Sequence, residues 1–173
     1  MCAVTTLPLS EEDTALRRWM LAQAEEHGCA LIQVDEDDTG SGYTFSAGAW
    51  RRYGVPEAVV VGLDPEMAAE LIHRYVHRAA AGERFVPGGL YGDFFEGVSL
   101  TVERVAPSWY PEYLGSAFLL YSNGDFPALQ IIVPTSEGYW PWSLDAPAGF
   151  AAWQPVLTES GKPESWRPGH DGP

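Results

Sequence analysis

Glu57 heads an apolar run, Glu57-Ala58-Val59-Val60-Val61, where a carboxylate loses water and its pKa rises as a general base requires. Tyr43, Thr44 and Ser46 lie in a second strand-like string, and their hydroxyls are expected to line a pocket beside Glu57. His27, at the end of a helical pattern, would complete a carboxylate/histidine cleft able to move a proton. The plainer readings are structural. Glu57 would pair with Arg51, Arg52 or Arg104, since buried acids are usually matched by a cation. His27 would sit on the buried side of its helix and satisfy the negative helix end. Cys29 follows His27-Gly28 and is a possible thiol nucleophile, but near neighbours at a helix exit rarely point the same way, and cysteine is commonly just buried.

Glu70, His73 and His77 form a Glu-x-x-His-x-x-x-His string that a helix would present on one face, with donors zinc accepts. The apolar stripe of the same helix centres on Leu71, Ile72 and Tyr75, which turns both histidines toward solvent. A solvated polar face is the plainer reading, and no metal is assigned. Tyr139, Trp140, Trp142, Phe150 and Trp153 make an aromatic segment interleaved with prolines; exposed it anchors a partner, buried it closes the core. No Gly-x-Ser-x-Gly elbow supports a serine triad. Gly88-Gly89 and Gly92 lack the helix and lysine of a phosphate loop, so no cofactor is expected.

Regular elements must hold these groups. Ser10, with Asp13 three residues on, starts a first helix that Gly28 stops. Ala30 to Val34 reads as a strand, followed by the acidic loop Asp35-Glu36-Asp37-Asp38. Tyr43 to Trp50 reads as a strand in which Gly48 marks a bulge or close backbone approach, and Arg51 to Pro56 as a turn before the strand from Glu57. Asp64 caps a second helix with Pro65 at its first position, ended by Gly82. Residues 84–97 read as a shaped loop, Val98 to Val105 and Leu129 to Val133 as strands. Residues 109–121 are expected to be a third helix; the rival is a hairpin about Asn123-Gly124. The sum is α+β: a flexible N-terminus over 1–9, one domain over 10–157, and a mobile Pro/Gly-rich tail over 158–173. Its single mixed or antiparallel sheet is expected to carry two or three helices packed mainly on one face.

Composition narrows the partners. The 173 residues carry a net charge of −14, half of it within residues 1–40, where nine acids face only Arg17 and Arg18. Such a field repels nucleic acid and anionic lipid and attracts a basic protein. A hydrophobic fraction of 46% argues against global disorder. No run approaches the roughly 18 apolar residues of a membrane span, and no secretory leader is expected. With Cys2 and Cys29 needing no disulfide, a cytoplasmic setting is expected.

Several short strings follow one another in order along the chain. They are His27-Gly28, Tyr43-Thr44 with Gly48, Pro56-Glu57, and Pro134, Gly138, Pro141 and Trp142, closed by Gln154-Pro155-Val156-Leu157. This ordered set resembles the bacterial family of domain of unknown function 4262 over about residues 15–157. The resemblance implies a domain extent but no chemistry. Where the family has a histidine before Pro-Glu this chain has Val55, and where it has an aspartate after the proline it has Thr135.

The reading is a non-catalytic, immunity- or accessory-type protein-binding module. Asp35, Glu36, Asp37 and Asp38, with Tyr139, Trp140 and Trp142, would meet a basic partner. The alternative is a small hydrolytic or tailoring enzyme built around Glu57 and His27 with Tyr43 and Thr44.

Overall fold

The computed structural model describes residues 9–165. Of the flexible end expected over 1–9 and the mobile tail expected over 158–173, residues 1–8 and 166–173 lie outside the described residues.

Helix α1 (Glu11–His27) begins where Ser10 Oγ accepts the Asp13 N–H at 3.0 Å, and three acids in its first turn face the positive helix end. Gly28, at φ 94°, ends it in a left-handed conformation that a side chain would oppose. Helix α3 (Pro65–Ala80) is set by Asp64, whose carboxylate accepts the N–H groups of Glu66 and Met67. Its stripe of Ala68, Leu71, Ile72, Tyr75 and Val76 is buried as expected.

Six strands form one mixed sheet: β1 (Ala30–Val34), β2 (Tyr43–Ala47), β3 (Glu57–Val61), β4 (Leu90–Phe95), β5 (Val98–Arg104) and β6 (Ala128–Ile132). Their order is β1-β2-β3-β6-β5-β4, all neighbours antiparallel except β3 and β6. β1, β3, β4 and β6 therefore end at one edge of the sheet, called here the carboxyl edge. β2 and β5 begin there.

The α+β class stands, but the helices divide between both faces rather than packing mainly on one. Ala58, Val60, Leu100, Val102, Leu129 and Ile131 meet α3 on one face. Phe45, Val59, Val61 and Ala128 meet Met20 of α1 and the segment around Tyr110, Leu114 and Ala117 on the other. The cause is in the central strands: every residue of β3 and β6 is buried, so each exposes two faces to cover.

Three local readings change. The strand expected to reach Trp50 stops at Ala47, and residues expected as a turn form one helical turn, α2 (Ala49–Tyr53). The loop expected over 84–97 contains β4, an edge strand hidden in the sequence by Gly92 and by Asp93, which sits at φ 64°. Residues 107–119 are helical rather than a hairpin, but broken into two 3-10 turns flanking α4 (Tyr110–Tyr113), with Pro111 and Gly115 interrupting them. Asn123-Gly124 is a turn leading into β6. A last helical turn, α5 (Phe150–Trp153), precedes a segment fixed by Gln130, which donates to Pro155 O and accepts from the Leu157 N–H. Beyond it the Ser165 N–H reaches the buried Glu103.

Candidate functional site

The four residues proposed for a proton-transferring cleft do not converge. Tyr43 pairs with Val61 and Thr44 with Val60, four and three residues along β3 from Glu57. At the rise of a strand that is roughly 10–13 Å. Glu57 and His27 lie at the opposite edge from Tyr43 and Thr44. His27 is exposed, not buried, and its side chain faces Glu26 at 3.8 Å.

Glu57 itself is fully buried, but its partners are not the arginines expected. Oε1 accepts from Ser46 Oγ at 2.8 Å and the Ala49 N–H at 3.2 Å. Oε2 accepts from the Gly48 and Trp50 N–H groups at 2.8 and 3.3 Å and from the Tyr121 hydroxyl at 2.6 Å. Short helix α2 thus has its open N–H groups closed by a carboxylate from the neighbouring strand. Desolvation raises the Glu57 pKa, and the hydrogen bonds from Tyr121, Ser46, Gly48 and Trp50 oppose that rise. Ser46 Oγ also takes the Ala58 N–H, and the Tyr121 hydroxyl takes that of Arg51. Both hydroxyl partners are thus committed twice, and the other three partners are backbone N–H groups, which describes a structural joint. Arg52, expected near Glu57, instead donates to the carbonyls of Ala24 and Glu25 and closes the end of α1. Cys29 is buried beside this joint, and burial, then the Glu57 charge, push its thiol up to about 12. That removes the thiolate a nucleophile needs.

His73 and His77 are exposed on α3, as their spacing implied. With His27, Gly28 and Tyr53 they line a depression of about 310 Å³. Burial and then the proximity of His27 lower the His73 pKa. Glu70 is engaged elsewhere, by Arg74 at 2.7 Å. Among the described residues no three His, Cys, Asp or Glu side chains are grouped to hold a metal ion.

The carboxyl edge gathers the other candidates. A pocket of about 450 Å³ opens where β1 and β3 end and α3 begins. Thr44 and Gln33, paired across β1 and β2, line it together with Tyr43, Asp35, Glu36 and Asp64. Trp153 forms a further wall, its Nε1 donating to Gly62 O at 2.9 Å while the Ser41 hydroxyl donates to its carbonyl. The tight path at Gly62, where an added Cβ would stand 2.8 Å from Trp153 O, holds this indole over the end of β3. Asp37 accepts from the Thr39 hydroxyl and amide and the Gly40 amide; those bonds, the Thr39 hydroxyl first, hold its carboxyl below the usual range. No carboxylate of Asp35 to Asp38 makes an ion pair among the described residues.

Trp140 and Trp142 stack at 5.4 Å with planes 3° apart and are half-buried; Tyr139 is exposed. Trp140 lines a separate concavity with Pro134 to Gly138 and the start of β5, on the same edge of the sheet. Exposed Trp153 belongs to the acidic pocket, so the aromatic segment serves two places. Sequence reading missed Tyr121 as a Glu57 partner, and Gln33, Asp64 and Trp153 as pocket walls. Only the polar Gln33 inside an apolar strand offered a signal.

These features define a small acidic α+β domain with a mixed sheet and a polar pocket at its carboxyl edge. The family model described as Domain of unknown function (DUF4262) matches residues 23–147, more than half of the chain, and the chain belongs to that family. No curated protein and no solved structure matches it.

Proposed function

We propose that this domain is a non-catalytic binding module whose carboxyl edge engages a basic protein. The observation that carries this reading is the acidic loop beside the pocket. Four successive exposed acids, without an ion pair among the described residues, flank a concavity with an aromatic wall. Burial, then the Glu112 and Asp37 charges, raise the Tyr43 hydroxyl pKa, as a negative local potential requires. A net charge of −14 disfavours nucleic acid and anionic membrane as partners. No helix among the described residues is long and apolar enough to cross a membrane. Cytoplasm is the setting we assign, where a thiol such as Cys29 stays reduced. The enzyme reading draws no support from Glu57, whose oxygens are occupied and which lines none of the pockets described above.

The test is capture from host lysate by the full chain at low and high salt, beside a variant carrying Asp35→Asn, Glu36→Gln, Asp37→Asn and Asp38→Asn. A stoichiometric basic protein retained at low salt, released at high salt and lost by the variant is expected. Retention by the variant would remove the acidic loop from the interface.

A further inference from the structure

Among the described residues eight polar or charged side chains are buried: Thr44, Ser46, Glu57, Thr101, Glu103, Gln130, Gln154 and Thr158. Seven of them hydrogen-bond to other groups of the protein. Thr44 stands alone: it is 2% exposed and its hydroxyl makes no hydrogen bond among the described residues. A buried hydroxyl without a partner is costly and uncommon in a folded chain. Thr44 lies at the back of the carboxyl-edge pocket.

Three side-chain donors that line this pocket are engaged within the protein. Gln33 Nε2 donates to Pro65 O at 3.0 Å, Trp153 Nε1 to Gly62 O, and the Tyr43 hydroxyl to Glu112 O at 3.0 Å. The start of α3 would ordinarily attract an anion, but Asp64 occupies its N–H groups of Glu66 and Met67. What remains are mainly acceptors: the Thr44 hydroxyl, which accepts as well as donates, Gln33 Oε1, and the carboxylates of Asp35 and Glu36, which make no side-chain hydrogen bond or ion pair among the described residues. A pocket in which acceptors and carboxylates predominate calls for a ligand rich in donors and positive. Several acceptors around an indole wall favour a flat group with five donors over a compact ammonium with three.

We propose that this pocket takes the guanidinium of an arginine side chain presented by the basic partner. The assignment rests on the partner reading above and adds the group recognised. Thr44 Oγ1 receives a guanidinium N–H at the back of the pocket, Asp35 and Glu36 balance the charge at its mouth, and Trp153 covers the planar face.

The probe is N-acetyl-arginine N-methylamide, titrated into the full chain while amide chemical shifts are followed, beside the lysine counterpart and free arginine. Saturable shifts confined to the pocket segments around residues 33–44, 62–65 and 153 are expected, with the lysine probe about tenfold weaker. Thr44→Val keeps the branched shape and removes the acceptor; it should weaken the arginine probe about tenfold while the protein melts no lower than the native chain. That pairing separates lost recognition from lost folding. Equal affinity of Thr44→Val, equal affinity of the lysine probe, or no pocket shifts would each overturn the assignment. Tighter binding of free arginine than of the blocked form would overturn a partner side chain as the source. If the arginine probe fails while salt-sensitive capture of a basic protein persists, the pocket assignment falls and the partner reading stands.

Discussion

At the scale of single residues, Glu57 carries the most weight, and its role is mechanical. It joins β3 to α2 and Tyr121 through five hydrogen bonds. Removing a buried acceptor strands its donors, so Glu57→Ala should cost at least about 3 kcal/mol in denaturant unfolding. Its raised pKa makes stability depend on pH. Between the ordinary value of 4.5 and the raised folded value, the folded chain holds more protons on this group than the unfolded one. Its contribution is therefore full below pH 4.5 and is lost as pH rises through the folded pKa. The stability gap between the native chain and Glu57→Gln should narrow over that interval. A widening gap would mean that the donors outweigh desolvation and keep the group ionised. Cys29 offers a second check: with its thiol near 12 and buried, it should resist a disulfide exchange reagent at neutral pH until the protein unfolds. Rapid labelling of native protein at Cys29, located by peptide mapping, would contradict its placement in the core.

At the scale of elements, the close approach of α1 to β2 is made possible by Gly48. An added Cβ there would stand 2.6 Å from Ala24 Cβ, at a φ of 107°. Gly138 shares the positive φ, at 91°, but has open space around it. Both glycines carry the family resemblance, yet their needs differ. Gly138→Ala should cost about 1 kcal/mol from backbone strain alone, and Gly48→Ala clearly more, since helix and strand must part. Equal costs in chemical denaturation would mean that the helix shifts freely. The elements also show where the sequence was legible. β1 and β3 run where the apolar strings placed them, and α3 starts and stops at Asp64 and near Gly82, because caps and periodicity are local signals. β4 was hidden because an edge strand interrupted by Gly92 and Asp93 carries no regular alternation. The site was less legible still. Which end of a strand faces which loop depends on pairing, so Thr44 and Glu57 looked like neighbours until the register of β2 against β3 set them apart.

At the scale of the whole molecule, the sheet separates two kinds of polarity. One edge holds Glu57, the joint to α2 and the histidines of the shallow depression. The carboxyl edge holds the acidic loop, the pocket and the Trp140–Trp142 stack. On the proposed binding reading, a field generated by a net charge of −14 would steer a basic protein over long distances, and the carboxyl edge would decide where it stops. Salt should therefore act mainly on the association rate, and loss of pocket contacts on the dissociation rate. The most direct measurement is hydrogen exchange of the full chain with and without its captured basic partner. Slowed exchange concentrated in residues 33–44, 62–66 and 134–153 is the predicted footprint. Protection centred instead on His27, residues 49–57 and the C-terminal half of α3 would contradict the carboxyl edge as the binding surface.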